Sequence, residues 1–274
     1  MISVAQGFLA CPVCLRPGIA TKALFIGDKT ATCANGHCFD IARQGFLNLL
    51  GSAQPRNADN AGMVAARGRV HQAGVFAPVA QALRQPTSDL CLSVDNPALE
   101  VGAGTAYYLR EVVDPYGAAG IALDVSTAAA RAAAQASPLI ASVVADVWQA
   151  LPICDQSVGL ILCVFAPRNL AEFARALHPE GRLIVVTPNS GHLAALRSRD
   201  ELLDIAEHKE KQLESGPFRI TDSQTVRYPV ALDAELASDV IAMGPNAFHP
   251  TSHPAASIED HVDITVHMLE RKAG

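Results

Sequence analysis

From about residue 91 onward, short apolar runs alternate with alanine-rich segments. The apolar runs are "ALEVG", "GIALD", "ASVVAD", "VGLILCVF" and "GRLIVVTP", and helical segments such as "STAAARAAAQA" and "NLAEFARALH" separate them. Continuous apolar runs of this length predict strands that are buried on both faces, and their alternation with helices predicts a parallel sheet. We therefore expect an α/β fold with helices on both faces of the sheet.

Other patterns precede and follow this region. Residues 51–90 begin with the polar "GSAQPRNADN" and continue with "AGMVAARGRVHQAGVFAPVAQAL", which predicts helices broken at Gly74 and Pro78. Near the end, "SQTVRYPVAL" and "HVDITVHMLERK" predict strands around a helix at "DAELASDVIAM". We divide the chain into a small N-terminal domain (1–50), a helical linker that contributes to the ligand pocket (51–90) and a main domain (91–274).

The composition is that of a well-packed globular protein, because half of the 274 residues are hydrophobic and 18% are charged. No apolar run reaches the length of a membrane span, and the first ten residues contain no Lys or Arg, which argues against a signal peptide. Clustered cysteines without an export signal indicate metal binding in a reducing compartment rather than disulfides. We expect a cytoplasmic protein with no membrane partner.

The charge is uneven along the chain. The net charge is −6, yet residues 1–90 carry eight basic and four acidic residues, while the remainder carries 13 basic and 23 acidic ones. Only the N-terminal third has the sign that attracts a phosphate backbone. This excess indicates a nucleic-acid contact there, although an ordinary fluctuation in charge explains it equally well, since the charges form no dense run.

The stretch "CPVCLRPGIATKALFIGDKTATCANGHCFD" contains two ligand pairs, Cys11-x2-Cys14 and Cys33-x3-His37. Two such pairs can close a tetrahedron around one ion, and soft sulfur and nitrogen ligands favour zinc. Four protein ligands leave no open position, so the spacing predicts a structural Zn²⁺ site. Cys38 is nearly as acceptable as His37 by spacing, and both alternatives stay open at this point.

A glycine-rich turn, "LEVGAGT", follows the first predicted strand of the main domain. Gly102 and Gly104 allow the backbone to turn sharply and to approach a ligand closely. The third glycine of the dinucleotide-binding pattern is missing, because Tyr107 occupies its place. The turn alone is a weak motif that many nucleotide-binding proteins share.

Acidic residues end the first three predicted strands and add weight to this turn. Asp124 ends the second strand, where a carboxylate can accept hydrogen bonds from both ribose hydroxyls. Asp146 ends the third strand, where it can accept one from an adenine amino group, with Val147 and Trp148 as apolar walls. Together with Glu100, these acids suit an adenosine ligand without phosphates, S-adenosylmethionine rather than NAD. The alternative is that each acid caps a helix.

The loops after the fourth and fifth predicted strands are "CVFAPRN" and "TPNSGHL". In open parallel sheets, this edge carries the chemistry. Phe165, Pro167, Arg168 and Asn169 could contact a substrate base, although Asn169 is also a suitable helix N-cap. His192 could face the carboxylate of the cofactor, or could lie on the surface at a helix start.

Several stretches together resemble the RlmA family. They are the two ligand pairs with "NGHCFDIARQGFLNLL", and "MVAARGRVHQAGVFAPV", "EVGAGTAYYL", "LDVS", "ADVWQALP", "VFAPRN", "HPEGRLIVVTPNSGHL" and "HKE". This family comprises S-adenosylmethionine-dependent methyltransferases that act on N1 of a guanine in 23S ribosomal RNA. The details are nearer to the Gram-positive, TlrB-like branch, which includes a tylosin-resistance enzyme.

The resemblance implies a Rossmann-like class I methyltransferase with a mostly parallel, seven-stranded sheet. It implies a small N-terminal zinc-ribbon-like domain that helps to recognise an RNA hairpin, and a homodimer is plausible. It also implies His37 as the fourth zinc ligand and cofactor contacts from Phe76, Gly104, Thr105 and His192. Phe76 stands where relatives often have Tyr, so stacking can remain while the hydroxyl is lost.

We consider three functions. The first is methyl transfer to guanine N1 in 23S rRNA, with a link to macrolide resistance as one hypothesis. In this function Arg168 stabilises the anionic guanine at O6, Asn169 assists, and Phe165 or Trp148 stacks on the flipped base. The second is methylation of a small molecule, which the acidic main domain favours slightly. The third is RNA binding by a non-catalytic protein with a vestigial cofactor fold. The sequence does not identify a general base.

Overall fold

The computed structural model describes residues 2–16, 21–50, 58–203, 205, 209–248 and 256–272. Most of the predicted polar linker (51–57) and the first residue of the "HKE" stretch (208) lie outside these residues. No helix in the described part of the chain is long and apolar enough to cross a membrane.

Eleven strands and eight helices are described, together with short 3₁₀ turns. The strands are β1 (Phe25–Ile26), β2 (Thr30–Thr32), β3 (Cys38–Asp40), β4 (Phe46–Asn48), β5 (Ala98–Val101), β6 (Gly120–Asp124), β7 (Ile140–Val144), β8 (Val158–Val164), β9 (Leu177–Pro188), β10 (Phe218–Leu232) and β11 (Ile258–Arg271). The helices are α1 (Ala61–Gln72), α2 (Ala77–Arg84), α3 (Tyr107–Val113), α4 (Thr127–Ala133), α5 (Leu170–Ala176), α6 (Ala194–Arg199), α7 (Lys209–Glu214) and α8 (Ala234–Ala242).

The main sheet has the strand order β10-β11-β9-β8-β5-β6-β7-β4. The strands from β9 to β4 in this order are parallel neighbours, whereas β10 and β11 pair antiparallel. The predicted mostly parallel sheet is confirmed, but it has eight described strands rather than seven. The additional strand, β4, comes from the N-terminal segment and buries Leu47 by pairing with β7 at the sheet edge.

The predicted helices before the sheet, with a break at Gly74, are confirmed as α1 and α2. The Asn60 side chain accepts hydrogen bonds from the backbone N–H groups of Gly62 (2.9 Å) and Met63 (3.1 Å) and so begins α1. The chain leaves α1 through Gly74, whose φ of +77° favours glycine. The predicted break at Pro78 is wrong, because Pro78 lies in the first turn of α2, where its missing N–H costs no helical hydrogen bond.

The N-terminal segment shares a core with one face of the main sheet. Leu9 is fully buried in the same cluster as Leu99 of β5 and Phe173 of α5. The Ala10 N–H donates a 2.9 Å hydrogen bond to the carbonyl of Pro152 and ties the two parts together. The opposite face of the sheet packs against α1, α2, α3 and α8. Helices therefore cover both faces, and the carboxyl ends of the parallel strands form the open edge.

Candidate functional site

Four side chains of the N-terminal segment converge on one point. The ligand atoms of Cys11, Cys14, Cys33 and His37 all lie within 4.8 Å of one another. His37 Nδ1 lies 3.3 Å from the sulfurs of Cys14 and Cys33 and 3.6 Å from that of Cys11, and the Cys14 and Cys33 sulfurs are 3.8 Å apart. Ligands on a tetrahedral zinc ion with Zn–S of about 2.3 Å lie roughly 3.7 Å apart. The cluster therefore has the donors and the size for a closed zinc site.

Cys38 lies outside this cluster, although it follows His37 directly. It is exposed and begins β3, where it pairs with Thr32 of β2. The Gly36 N–H donates to the Cys33 carbonyl (2.9 Å), and the Cys33 N–H donates to the His37 carbonyl (3.0 Å), so a tight backbone turn aims the imidazole inward. Gly36 has a φ of +84°, which this turn requires. The geometry thus brings His37, not Cys38, to the three other ligands.

A cavity of about 810 Å³ opens at the carboxyl ends of the parallel strands. Most of the residues predicted to contact cofactor or substrate line it, namely Phe76, Glu100, Gly102, Gly104, Asp124, Asp146, Val147, Trp148, Phe165, Pro167, Arg168 and His192. Thr105 and Asn169 do not line it. The structure therefore gathers residues from six separate segments around one space: one between α1 and α2, and five at the ends of β5, β6, β7, β8 and β9.

The glycine turn after β5 forms part of the cavity wall. Gly102 and Gly104 have φ values of +67° and +55°, which favour glycine. A Cβ at Gly102 would lie 2.5 Å from Ala166 Cβ, and a Cβ at Gly104 would lie 2.6 Å from Arg67 Nη1. Close packing as well as backbone conformation therefore requires Gly102, whereas backbone conformation is the main requirement at Gly104, since the Arg67 side chain could move.

Two carboxyl groups lie beside this turn. Glu100 is fully buried and accepts a 3.1 Å hydrogen bond from the Leu109 N–H. Burial raises the pKa of Glu100 to about 8, so this group is protonated at neutral pH. Asp124 accepts hydrogen bonds from the N–H groups of Gly104 and Ser126, each 2.8 Å long, while burial raises its pKa. These two bonds orient the Asp124 carboxyl group and leave lone pairs for the hydroxyls of a ribose.

Asp146 and Trp148 lie at the end of β7. One oxygen of the Asp146 carboxylate accepts a 3.0 Å hydrogen bond from the Trp148 N–H, and Asp146 lines the cavity. Val147 between them is buried, whereas the Trp148 side chain is 64% exposed. An apolar wall beside an oriented carboxylate suits an adenine ring with its amino group.

Three rings meet on another side of the cavity. The ring centroids of Phe76, Phe165 and His192 are 5.8–6.2 Å apart. Phe165 has a φ of +54°, a strained conformation for a residue with a side chain. His192 Nδ1 accepts a 3.3 Å hydrogen bond from the Asp263 N–H, so a neutral ring carries its proton on Nε2. The Nδ1 atom of His192 is therefore already engaged and does not face the cavity as a base.

Hydrogen bonds hold both ends of the loop that follows β8. The Cys163 thiol donates a 3.4 Å hydrogen bond to the Ala166 carbonyl. Asn169 caps α5 with its oxygen and donates a 3.0 Å hydrogen bond from Nδ2 to the Val147 carbonyl. Arg168 is half-buried, lines the cavity and forms no ion pair with any other residue that the structure describes. Asn169 therefore positions the loop, and Arg168 offers the cavity a charge.

Sequence reasoning missed a row of cavity residues on and before α1. Arg67 forms a 2.6 Å ion pair with Asp59, and both line the cavity. His71 stacks on Tyr107 with centroids 4.1 Å apart, and burial, with nearby Arg67 and Arg110, lowers its pKa to about 3. Arg67 and His71 are four residues apart and so share one helix face. Their spacing of four residues could have indicated a shared face of α1, but the sequence did not show that this face meets the sheet.

Comparisons with known proteins agree with this architecture. A family model described as "RlmA, N-terminal", a zinc ribbon, matches residues 9–56, and a "Methyltransferase domain" model matches residues 99–185. A Streptomyces fradiae protein named 23S rRNA (guanine(748)-N(1))-methyltransferase is 39% identical over 248 residues, which cover 88% of this chain and 86% of that protein. A Micromonospora griseorubida protein, provisionally named 23S rRNA (guanine-N(1)-)-methyltransferase, is 38% identical over 258 residues. These residues cover 88% of this chain and 87% of that protein.

Among solved structures, a chain from the complex between the Haloferax volcanii Trm112 methyltransferase activator and a provisionally named methyltransferase matches with a TM-score of 0.50. It is 17% identical and covers 78% of this chain and 99% of that one. This likeness shows the fold alone.

Proposed function

This chain belongs to the RlmA family of 23S rRNA (guanine-N1)-methyltransferases, and from that premise we propose that it methylates N1 of a guanine in a hairpin loop of 23S rRNA. The cavity gives the strongest support, because its glycine turn and the oriented carboxyl groups after β6 and β7 suit an adenosine ligand without phosphates. The Streptomyces fradiae relative is named for guanine 748. A link to macrolide resistance is part of the proposal.

The residues present fit S-adenosylmethionine, which supplies an electrophilic methyl group when bound. In the proposed mode, Asp124 accepts hydrogen bonds from the ribose, Asp146 accepts one from the adenine amino group, and Val147 packs on the ring. Protonated Glu100 would hold the turn through its hydrogen bond from the Leu109 N–H, and Phe76 would contribute its ring to the wall of the cofactor pocket. The full proposed set is Phe76, Glu100, Gly102, Gly104, Thr105, Asp124, Asp146, Val147 and His192. Thr105 acts indirectly, through its 3.3 Å contact with His71.

Arg168 and Asn169 carry the proposed catalytic roles. Guanine N1 lies on the base-pairing edge, so the base must be unpaired or flipped out to reach the cavity. The cofactor would supply the methyl group that N1 accepts, and N1 would release its proton to solvent. Arg168 donates hydrogen bonds to guanine O6 and stabilises the negative charge that develops there. Asn169 positions Arg168 by joining the loop after β8 to Val147. Phe165 or Trp148 stacks on the flipped base.

The three predicted regions take separate roles in this proposal. Residues 1–50 bind a structural zinc ion through Cys11, Cys14, Cys33 and His37 and contact the RNA hairpin, residues 51–90 cover the cofactor, and residues 91–274 carry out the transfer. The excess of basic residues in the first 90 positions supports the RNA contact. A homodimer would extend that surface. We place the reaction in the cytoplasm, where ribosomal RNA is available.

The decisive experiment incubates the protein with S-adenosylmethionine and 23S rRNA that lacks the modification, and identifies the methylated nucleoside by mass spectrometry. N1-methylguanosine is the expected product. Binding of S-adenosylmethionine without RNA methylation would favour a small-molecule substrate, and RNA binding without cofactor binding would favour the non-catalytic function.

The Arg168→Ala variant should lose methylation by about 100-fold while its cofactor affinity stays near that of the wild type. Undiminished methylation would exclude the proposed role of Arg168.

A further inference from the structure

We propose that Arg67 recognises the amino-acid carboxylate of the cofactor and thereby selects for an intact methionine group. This inference rests on the proposed function, because it names a further contact to the same cofactor. Arg67 was not expected from the sequence, and it lines the cavity because α1 packs against the sheet and against α8.

Arg67 lies directly over the glycine turn. Its Nη1 atom is 2.6 Å from the position that a Cβ of Gly104 would occupy, so the guanidinium fills the space that the glycine leaves open. Nη1 pairs with the Asp59 carboxylate at 2.6 Å, and Nη2 donates to the Met243 carbonyl at 2.6 Å. A guanidinium has five N–H groups, and the hydrogen bond to Met243 uses one of them. Arg67 is therefore held rigidly and retains donors for a ligand.

The path of the cofactor favours this residue. With the adenosine held by Asp124 and Asp146, the methionine part must pass along the glycine turn, which Arg67 covers. Two other arginines line the cavity, but they lie elsewhere: Arg168 follows β8, and Arg197 donates hydrogen bonds to the carbonyls at the start of α6, including that of His192 (3.0 Å).

The charge balance also points to Arg67. S-adenosylmethionine carries a single anionic group, its carboxylate, and a desolvated carboxylate requires a cation with good geometry. The Arg67 side chain is only 20% exposed, and its planar fork matches a carboxylate. One turn further along α1, His71 remains neutral, because burial lowers its pKa to about 3. The face of α1 over the glycine turn therefore presents one cation, Arg67, whose charge the neighbouring Asp59 carboxylate partly balances.

The test compares two ligands that differ only in the carboxylate, S-adenosylhomocysteine and its decarboxylated analogue, by calorimetry with the full-length, zinc-loaded protein. Arg67→Ala should weaken the binding of S-adenosylhomocysteine by about 10- to 100-fold and that of the analogue by less than about threefold. Arg67→Lys, which keeps the charge but loses the fork, should show an intermediate loss.

Arg69→Ala is the matched control, because Arg69 lies on the same helix but pairs with Asp239 and is 52% exposed. It should leave both affinities unchanged. Retained binding of the analogue by Arg67→Ala also shows that the variant folds. Equal losses for both ligands, or no loss for either, would overturn the role of Arg67. Failure of the wild type to bind S-adenosylhomocysteine would instead contradict the proposed function.

Discussion

Replacement of Glu100 by Gln is expected to remove a pH dependence from the folding stability. Glu100 is fully buried beneath the glycine turn, and burial raises its pKa from the ordinary value of 4.5 to about 8. Its 3.1 Å hydrogen bond from the Leu109 N–H can be accepted equally by the amide oxygen of Gln. The substitution therefore mimics the protonated acid and keeps its size and its partner.

The sign of the pH dependence follows from which state of the chain keeps the proton of Glu100. Between about pH 4.5 and about pH 8, the folded chain keeps the proton of Glu100 while the unfolded chain releases it, so the free energy of unfolding of the wild type falls as pH rises. The free energy of unfolding falls by about 1.4 kcal/mol per pH unit, or by about 3 kcal/mol between about pH 5.5 and about pH 7.5. Below about pH 4.5 both states are protonated and this dependence disappears.

Urea unfolding of the wild type and Glu100→Gln, both zinc-loaded, at several pH values measures this effect. The difference between the free energies of unfolding of Glu100→Gln and the wild type should increase by about 2 to 3 kcal/mol from about pH 5.5 to about pH 7.5, in favour of the variant. Glu180→Gln is the control, since Glu180 is exposed at the start of β9, and its curve should run parallel to that of the wild type. A constant difference between Glu100→Gln and the wild type across this range would show that Glu100 is ionised in the folded protein.

Two further predictions concern the metal cluster and the glycine turn. His37→Ala should lose zinc, measured as bound metal per chain, and Cys38→Ser should keep it, because only His37 reaches the other ligands; the opposite pattern would reverse the ligand assignment. Gly102→Ala should lower the free energy of unfolding by about 2 to 5 kcal/mol, because it adds overlap with Ala166 to the strain of a positive φ. Gly117→Ala, with a φ of +60° and no atom within 4 Å of the added Cβ, should show the strain alone, so equal losses in the two variants would contradict the packing argument.

Much of the fold follows from local pattern. The run "VGLILCVF" predicted a strand buried on both faces, and all seven residues of β8 are buried. Alternation of such runs with alanine-rich helices predicted the parallel sheet, since crossovers between parallel strands usually contain a helix. The connection from β7 to β8 is an exception, because no helix is described between Val144 and Val158. By contrast, β4 is only three residues long, and its pairing with β7 depends on the docking of the N-terminal segment, which no local pattern encodes.

Some residues of the cavity and of the metal cluster were likewise predictable from the sequence, whereas others depended on the fold. Sequence alone determined the residues whose position depends on neighbours in the chain: the ligand pairs of the cysteine–histidine cluster, the glycine turn, and the acids that end successive strands. Tertiary structure decided what depends on packing between distant segments. Arg67 reaches Met243, 176 positions away, only because α1 packs against α8. The choice of His37 over Cys38 likewise depends on which side chain a folded turn aims inward. Spacing fixes distances within a turn or along a strand, whereas the burial that neutralises Glu100 and His71 exists only after the helices close over the sheet.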